Sequence, residues 1–132
     1  MAGCFDLGTQ YDTGMPEMNG RIKDGEKAAA LYEQACNGNE FSGCYNLAFI
    51  YDPDKPNNTG RIKDAVKAAA LYKQSCDGGN VSGCTSLGVD YEYGEGGLEK
   101  DLKRARELYD QACNKGEKTG CSNRDNLDKR VQ

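Results

Sequence analysis

The chain has 132 residues, a formal net charge of −4, seven cysteines and no histidine. An acidic chain lacks the basic excess of a nucleic-acid-binding domain, and we expect no nucleic-acid partner. No apolar run reaches the roughly 18 residues that a transmembrane helix needs, so we expect no membrane insertion. Without histidine, the sequence contains no Ser-His or Cys-His dyad for nucleophilic catalysis.

One segment recurs along the chain. Gly-Cys occurs at 3–4, 43–44, 83–84 and 120–121, at spacings of 40, 40 and 37 residues. Periods of this size are typical of helical repeat proteins. The clearest copy is 67–84, KAAALYKQSCDGGNVSGC, which predicts the end of one helix, a glycine turn and the start of the next helix.

Each Gly-Cys predicts the start of a helix, called an A helix below. Leucine, a small residue and tyrosine follow the cysteine by three, four and seven positions, which places them on one buried face. We expect Ser42, Ser82 and Thr119 to be the N-caps of these helices. In the last copy Arg124 and Asp125 replace the leucine and the small residue, which predicts a polar capping helix. The predicted buried residues are Leu7, Gly8, Tyr11, Leu47, Ala48, Tyr51, Leu87, Gly88 and Tyr91.

A second helix in each copy, the B helix, is predicted to begin after an aspartate N-cap at Asp24, Asp64 or Asp101. Its apolar positions recur at helical spacing from that aspartate. A glycine is expected to supply the left-handed turn that ends it; these glycines are Gly38, Gly78 and Gly116. The predicted buried residues are Ala28, Leu31, Tyr32, Ala35, Ala68, Leu71, Tyr72, Ser75, Ala105, Leu108, Tyr109 and Ala112.

The cysteines are spaced C-x(7)-C three times, whereas zinc sites favour C-x(2–4)-C pairs, often with histidine. This favours disulfide bonds over a zinc site, and therefore an oxidising compartment. We predict no metal site and no cofactor. Asp52 and Asp54 lack the further ligands of a calcium loop, and Glu95 and Glu99 are expected to be solvated.

The A-helix Leu-Gly-x-x-Tyr, the glycine-rich loop, and the Asp, Lys-Ala, Leu-Tyr and Ala-Cys of the B helix resemble the Sel-one-like (SLR) repeat. With C-x(7)-C in every copy the chain is similar to the disulfide-bridged, Helicobacter-type cysteine-rich (Hcp) family. The resemblance implies an all-α fold, a tetratricopeptide-like α/α superhelical solenoid of about three helix pairs plus a terminal capping helix. It implies A helices on the concave face. The expected single domain spans 1–132, with units at 3–36, 43–76 and 83–113 and a terminal helix at 119–130.

The resemblance also implies the disulfides Cys36–Cys44, Cys76–Cys84 and Cys113–Cys121. A partner for Cys4 would precede Met1, so we expect a fragment of a longer array; otherwise Cys4 is unpaired and available for a covalent dimer. Secretion or a periplasmic location is implied. The mitochondrial intermembrane space is the alternative, because a related disulfide-rich repeat protein exists there.

A second function that the resemblance implies is penicillin binding or weak β-lactamase activity. A serine β-lactamase needs Ser-x-x-Lys, and no serine here has lysine three positions later. Lys118-Thr119-Gly120 spells another element of that site, but it occupies the place of Phe-Ser-Gly and Val-Ser-Gly at an A-helix start. We name no catalytic residue and favour a non-enzymatic function. An effector or toxin-neutralising protein is a third possibility.

Surface recognition is the favoured function. Positions one, two, five and six after each cysteine lie off the buried stripe, and by the resemblance they face the groove. Apolar residues such as Phe49 and Ile50 at such positions often mark a partner site; alternatively these two pack under the 53–63 loop. We predict a protein- or peptide-binding adaptor whose groove residues are Phe5, Asp6, Tyr45, Asn46, Phe49, Ser86, Val89 and Asp90.

Overall fold

The computed structural model describes residues 18–55 and 62–130, which form six α-helices and no strand. Each helix packs against the helices before and after it in the chain. This is the arrangement of an α/α repeat solenoid, and the predicted all-α fold is confirmed. The predicted first A helix, with Cys4, Phe5 and Asp6, lies outside the described residues. The helices are α1 (Met18–Asn37), α2 (Phe41–Tyr51), α3 (Ala65–Asp77), α4 (Val81–Tyr93), α5 (Leu102–Asn114) and α6 (Lys118–Arg130).

The B helices are α1, α3 and α5, and two of their three predicted N-caps are confirmed. The Asp64 carboxylate accepts from the Lys67 backbone N–H at 3.1 Å, and Asp101 accepts from that of Arg104 at 3.0 Å. The prediction for Asp24 is wrong, because α1 already begins at Met18. Asp24 therefore lies in the second turn of α1, beyond the free N–H groups at the helix start.

The predicted caps of the A helices, which are α2, α4 and α6, are wrong. Helix α4 is capped by Asn80, whose side chain accepts from the Gly83 N–H at 3.0 Å. The same position before α2 is held by Glu40, which makes no side-chain cap hydrogen bond. Ser42 and Ser82 therefore lie inside the first turn, and Thr119 follows the first residue of α6. Each A helix begins closer to the preceding turn than the serine pattern predicts.

The left-handed turn residue also lies one position later than predicted in two copies. Asn39 has φ 66° and Gly79 has φ 101°, whereas Gly78 is right-handed with φ −84°. The prediction for Gly38 and Gly78 is wrong, and that for Gly116, at φ 94°, is confirmed. Gly78 is needed for space instead, because a Cβ there would overlap the Phe41 ring.

The glycine of each Gly-Cys lets an A helix approach the preceding B helix closely. A Cβ on Gly43 would lie 2.8 Å from the Cβ of Ala35, and one on Gly120 would lie 2.9 Å from the Cβ of Ala112. Real Cβ atoms are not found so close to carbon neighbours. Gly120 of the Lys-Thr-Gly sequence is thus explained by helix packing.

Three disulfides join each B helix to the following A helix, as the resemblance implies. They are Cys36–Cys44, Cys76–Cys84 and Cys113–Cys121, with Cα–Cα distances of 4.6, 4.5 and 4.6 Å. These distances lie within the range that disulfides require. The bridges therefore staple the turns between helices.

The predicted stripes form most of the core. Tyr32, Tyr72 and Tyr109 are buried, as are the small residues around them, whereas Leu31 and Leu108 are half-buried. The capping helix α6 carries one apolar anchor that the pattern did not predict. Leu127, six positions after Cys121, is only 2% exposed. The predicted polar character of α6 is otherwise confirmed, since Arg124 forms an ion pair with Asp110 at 2.8 Å. No helix among the described residues is long and apolar enough to cross a membrane.

Candidate binding groove on the A helices

Six predicted groove residues lie on neighbouring A helices, and the A-helix groove is defined here by them. Five are half-buried, and the sixth, Asp90, is 9% exposed. Phe5 and Asp6 lie outside the described residues. The groove residues are Tyr45, Asn46 and Phe49 on α2 and Ser86, Val89 and Asp90 on α4.

Two other residues that the pattern placed on this face are buried. Ile50 is 2% exposed and belongs to the core, and Thr85 is 6% exposed. At about 100° per residue, positions two and five after the cysteine lie opposite the buried stripe, but positions one and six lie on its flanks. The prediction that Ile50 lies off the buried face is therefore wrong.

Two aromatic side chains form the α2 side of the groove. The Tyr45 ring lies 5.8 Å from that of Tyr72, centroid to centroid. Burial raises the pKa of Tyr45, and a hydrogen bond with Ser86 opposes that rise. The ammonium of Lys55 lies 5.7 Å from the centroid of the Phe49 ring, so the start of the following loop covers part of that ring.

Next to these aromatic residues, the end of α2 and the middle of α4 enclose a small acidic cleft. Its volume is about 70 Å³. Three groove residues line it, together with two acids that follow α2, one acid that follows α4, and one lysine. We call it the acidic cleft; its lining residues are Asp52, Asp54, Lys55, Ser86, Val89, Asp90 and Glu95.

Asp52 and Glu95 have internal partners. The Tyr72 hydroxyl donates to Asp52 at 2.7 Å, and the Asp54 backbone N–H donates to its other oxygen at 2.9 Å. Burial and the nearby Asp52 carboxylate raise the pKa of Tyr72, which keeps its hydroxyl protonated. Burial, followed by the charge of Asp54 and a hydrogen bond with it, raises the pKa of Glu95. Glu95 is partly buried beside Asp54, whereas Glu99 is exposed as predicted.

Asp90 differs from these acids. Its carboxylate has no hydrogen bond or ion pair with any other residue of the described chain. Burial is the main cause that raises its pKa to about 7, and repulsion from Asp52, Glu95 and Asp54 adds to it. The carboxylate oxygens keep some contact with solvent in the cleft, yet a carboxylate this far buried is ordinarily paired or hydrogen-bonded.

In the two other copies that the structure describes, the position of Asp90 holds an aliphatic residue, whereas the first copy has Gln10 there. The position six after the cysteine is Ile50 in one copy and Leu127 in another, each 2% exposed. Packing alone would favour an aliphatic side chain there in the third copy as well. The anomaly could have been found in the sequence by comparing the copies at this position.

The acid two residues further on is structural. Asp52 and Glu92 both lie eight positions after a cysteine, and each accepts from a B-helix tyrosine hydroxyl, Tyr72 or Tyr109, at 2.7 Å. Glu92 also pairs with Arg130 at 2.9 Å. The Tyr–carboxylate hydrogen bond thus repeats along the stack, whereas the unpartnered carboxylate of Asp90 does not.

The junction between α4 and α6 is filled. Glu117 accepts from the Thr85 hydroxyl at 2.9 Å and from the Ser82 hydroxyl at 3.2 Å. Larger hollows, of about 380, 420 and 340 Å³, lie along the B helices, and one of about 370 Å³ lies at the starts of α2 and α4. Lys73 borders the three along the B helices, is exposed, and is paired with Asp77 at 2.8 Å. Residues of the A-helix groove line the acidic cleft but none of these larger hollows. Among the described residues, the acidic cleft is therefore the more specific candidate for a binding site. No cluster in that part of the chain is suited to hold a metal ion.

Comparison with known proteins identifies the repeats. The Sel1 repeat family model matches residues 2–40, 42–80 and 81–117. Among solved structures, cysteine rich protein B of Helicobacter pylori superimposes with a TM-score of 0.69 at 28% sequence identity. The match covers 92% of this chain and 80% of that protein. No curated protein matches the chain by sequence.

Two further solved structures show the same fold. A Sel1 repeat protein from Oxalobacter formigenes has a TM-score of 0.76 and 22% identity, covering 95% of this chain and 87% of the other. A protective antigen of uropathogenic Escherichia coli strains, which displays an SLR fold, has a TM-score of 0.78 and 21% identity. That match covers 98% of this chain but 26% of the antigen. At these identities the likeness concerns the fold alone.

Proposed function

Because the chain belongs to the Sel1 repeat family, we propose that it is a protein- or peptide-binding adaptor that uses the A-helix groove. Sel1 repeats generally are protein-interaction modules. In a solenoid the stacked units form an extended surface of this kind. The partner is expected to be an extended peptide or a protein segment that lies across α2 and α4.

The observation that carries the proposal is the composition of the groove. Tyr45 and Phe49 expose part of their rings beside the polar side chains of Asn46 and Ser86 and the acidic cleft. Aromatic residues bury large areas at little entropic expense and are enriched where partners bind. Neighbouring polar groups then orient the ligand.

The three disulfides and the similarity to the Helicobacter pylori protein indicate an oxidising, extracytoplasmic environment. Within it we propose a secreted or periplasmic location, with the mitochondrial intermembrane space as the alternative. A Cys4-linked dimer stays a proposal, because Cys4 lies outside the described residues.

No observation favours the alternative of β-lactam binding. Ser86 lines the acidic cleft, but Val89 rather than lysine follows it by three positions, and the chain has no histidine to activate it. An effector or toxin-neutralising protein would act through the same groove, so those roles are narrower forms of the present proposal.

The proposal is tested by selecting phage-displayed random peptides on the oxidised chain. We expect the selected peptides to lose affinity for the Tyr45→Ala/Phe49→Ala variant. Tyr93→Ala is the matched control, because Tyr93 is 56% exposed and lies at the end of α4 outside the groove. Equal binding of the peptides to the native chain and the double variant would overturn the proposal, provided that thermal melting shows both to be folded.

A further inference from the structure

Asp90 is a buried acid that the fold does not use. It is 9% exposed, lines the acidic cleft, and has no hydrogen-bond or ion-pair partner in the described chain. The equivalent positions in two other copies hold Ile50 and Leu127, so packing does not require a carboxylate. A residue that disfavours the fold and has no internal partner is typical of a functional site.

The charges around Asp90 leave the cleft negative. Asp52 accepts from the neutral Tyr72 hydroxyl, and Asp54 lies within hydrogen-bond distance of Glu95, another acid. The ammonium of Lys55 lies over the Phe49 ring, and the described residues show no ion pair for it. Across the loop, the Lys63 ammonium donates to the backbone carbonyls of Ile50, at 3.2 Å, and Lys55. Neither lysine forms an ion pair with the Asp90 carboxylate.

The size and the lining of the acidic cleft restrict the kind of cation that can bind there. A volume of about 70 Å³ is the space of roughly two water molecules, which suits one ammonium or guanidinium group. The acids are not grouped as a metal site in the described part of the chain. Val89 is the apolar residue in the lining of the cleft, and it offers surface to an aliphatic stem, the way long basic side chains bind.

We propose that the acidic cleft binds a lysine or arginine side chain of the partner peptide, with the Asp90 carboxylate as its direct counter-ion. The inference rests on the groove function proposed above and adds the chemistry of the ligand. The stem of the basic residue lies along Val89, and flanking residues of the peptide contact Tyr45 and Phe49. The affinity for the basic peptide rises with pH as Asp90 ionises. The other titratable groups around the cleft are Asp52, Asp54, Glu95, Tyr72, Lys55 and Lys63.

Three short synthetic peptides, blocked at both ends, provide the test. They are identical except for one central residue, which is lysine, arginine or norleucine, with leucine on either side. Norleucine keeps the aliphatic stem of lysine without its charge. Titration of the oxidised, ¹⁵N-labelled chain should shift the amide signals of Ser86, Val89 and Asp90 with the basic peptides. The norleucine peptide should bind at least about tenfold more weakly.

Variants separate binding from folding. Asp90→Ile installs the residue found in the preceding copy, so it should be at least as stable as the native chain, yet it should weaken the lysine peptide about tenfold or more. Asp90→Asn should do the same with almost no change in shape. Glu99→Gln removes one exposed negative charge in the loop that follows α4 and should leave affinity unchanged.

The outcomes distinguish this inference from the groove proposal. Equal affinity of the norleucine and lysine peptides, still dependent on Tyr45 and Phe49, would overturn the basic anchor and leave the groove function standing. If the lysine peptide bound the Asp90→Ile variant as tightly as the native chain, the basic anchor would be overturned as well. It would also fail if none of the three peptides shifted the cleft signals, whatever the phage selection showed.

Discussion

Replacement of Asp90 by asparagine should stabilise the protein at neutral and alkaline pH but not in acid. The pKa of Asp90 is raised from 3.8 to about 7 in the folded protein. The fold therefore favours the protonated carboxyl, and the ionised form is destabilising. For the native chain, this carboxyl lowers the free energy of unfolding progressively as pH rises from about 4 to about 7. Asparagine removes the titration.

The magnitude follows from the same values. Each tenfold change in the acid dissociation constant corresponds to about 1.4 kcal/mol, so a rise from 3.8 to about 7 gives an upper limit of about 4 kcal/mol. Solvent in the open cleft screens the charge, and we expect about half of that limit, roughly 2 kcal/mol. The free energy of unfolding of Asp90→Asn should thus exceed that of the native chain by about 2 kcal/mol at about pH 8. At about pH 4 the two values should differ little.

Urea unfolding of the oxidised proteins, followed by circular dichroism at both pH values, measures this difference. Glu99→Gln is the control, since its exposed side chain should give no pH-dependent change. Comparison of native and variant chains at each pH removes most of the contribution of the other acids. A stability difference that is the same at both pH values, or a loss of stability at about pH 8, would refute the reasoning.

Four other predictions concern the scaffold. Gly83→Ala should destabilise the fold by about 1–3 kcal/mol, because the new methyl overlaps the Ser75 hydroxyl; Ser75→Ala in the same chain should restore part of the melting temperature, and no change for Gly83→Ala would contradict the close approach. Tyr72→Phe should cost about 1–3 kcal/mol in urea unfolding, because Asp52 loses its hydroxyl donor; an unchanged midpoint would show that water replaces it. Reduction should lower the unfolding midpoint, since each short bridge contributes roughly 2–3 kcal/mol. Alkylation without reduction should leave the six bridged cysteines unmodified by intact mass, and labelling of any of them would contradict the pairing.

The helices and the disulfides could be predicted because their signals are local and repeat. Apolar residues at helical spacing placed Tyr32, Tyr72 and Tyr109 in the core, and C-x(7)-C spans one turn between two helices. Helix starts were less predictable. Asn80 rather than Ser82 caps α4, because the position of the left-handed turn residue decides which side chain reaches the free N–H groups.

The environment of Asp90 depends on contacts between distant parts of the chain. Asp52 and Asp54 follow α2, and Glu95 follows α4, and only the stacking of the two repeats brings these acids together. A pattern within one helix contains no such information. The sequence does show that Asp90 stands where Ile50 and Leu127 stand in other copies, and that departure was the available signal.

The central claim is that partners bind across the A helices, and NMR mapping of a phage-selected peptide on the oxidised chain tests it most directly. The account predicts shifts of the amide signals of Tyr45 and Phe49 on α2 and of Ser86, Val89 and Asp90 on α4. Shifts confined to α3 and α5, where the larger hollows lie, would contradict it.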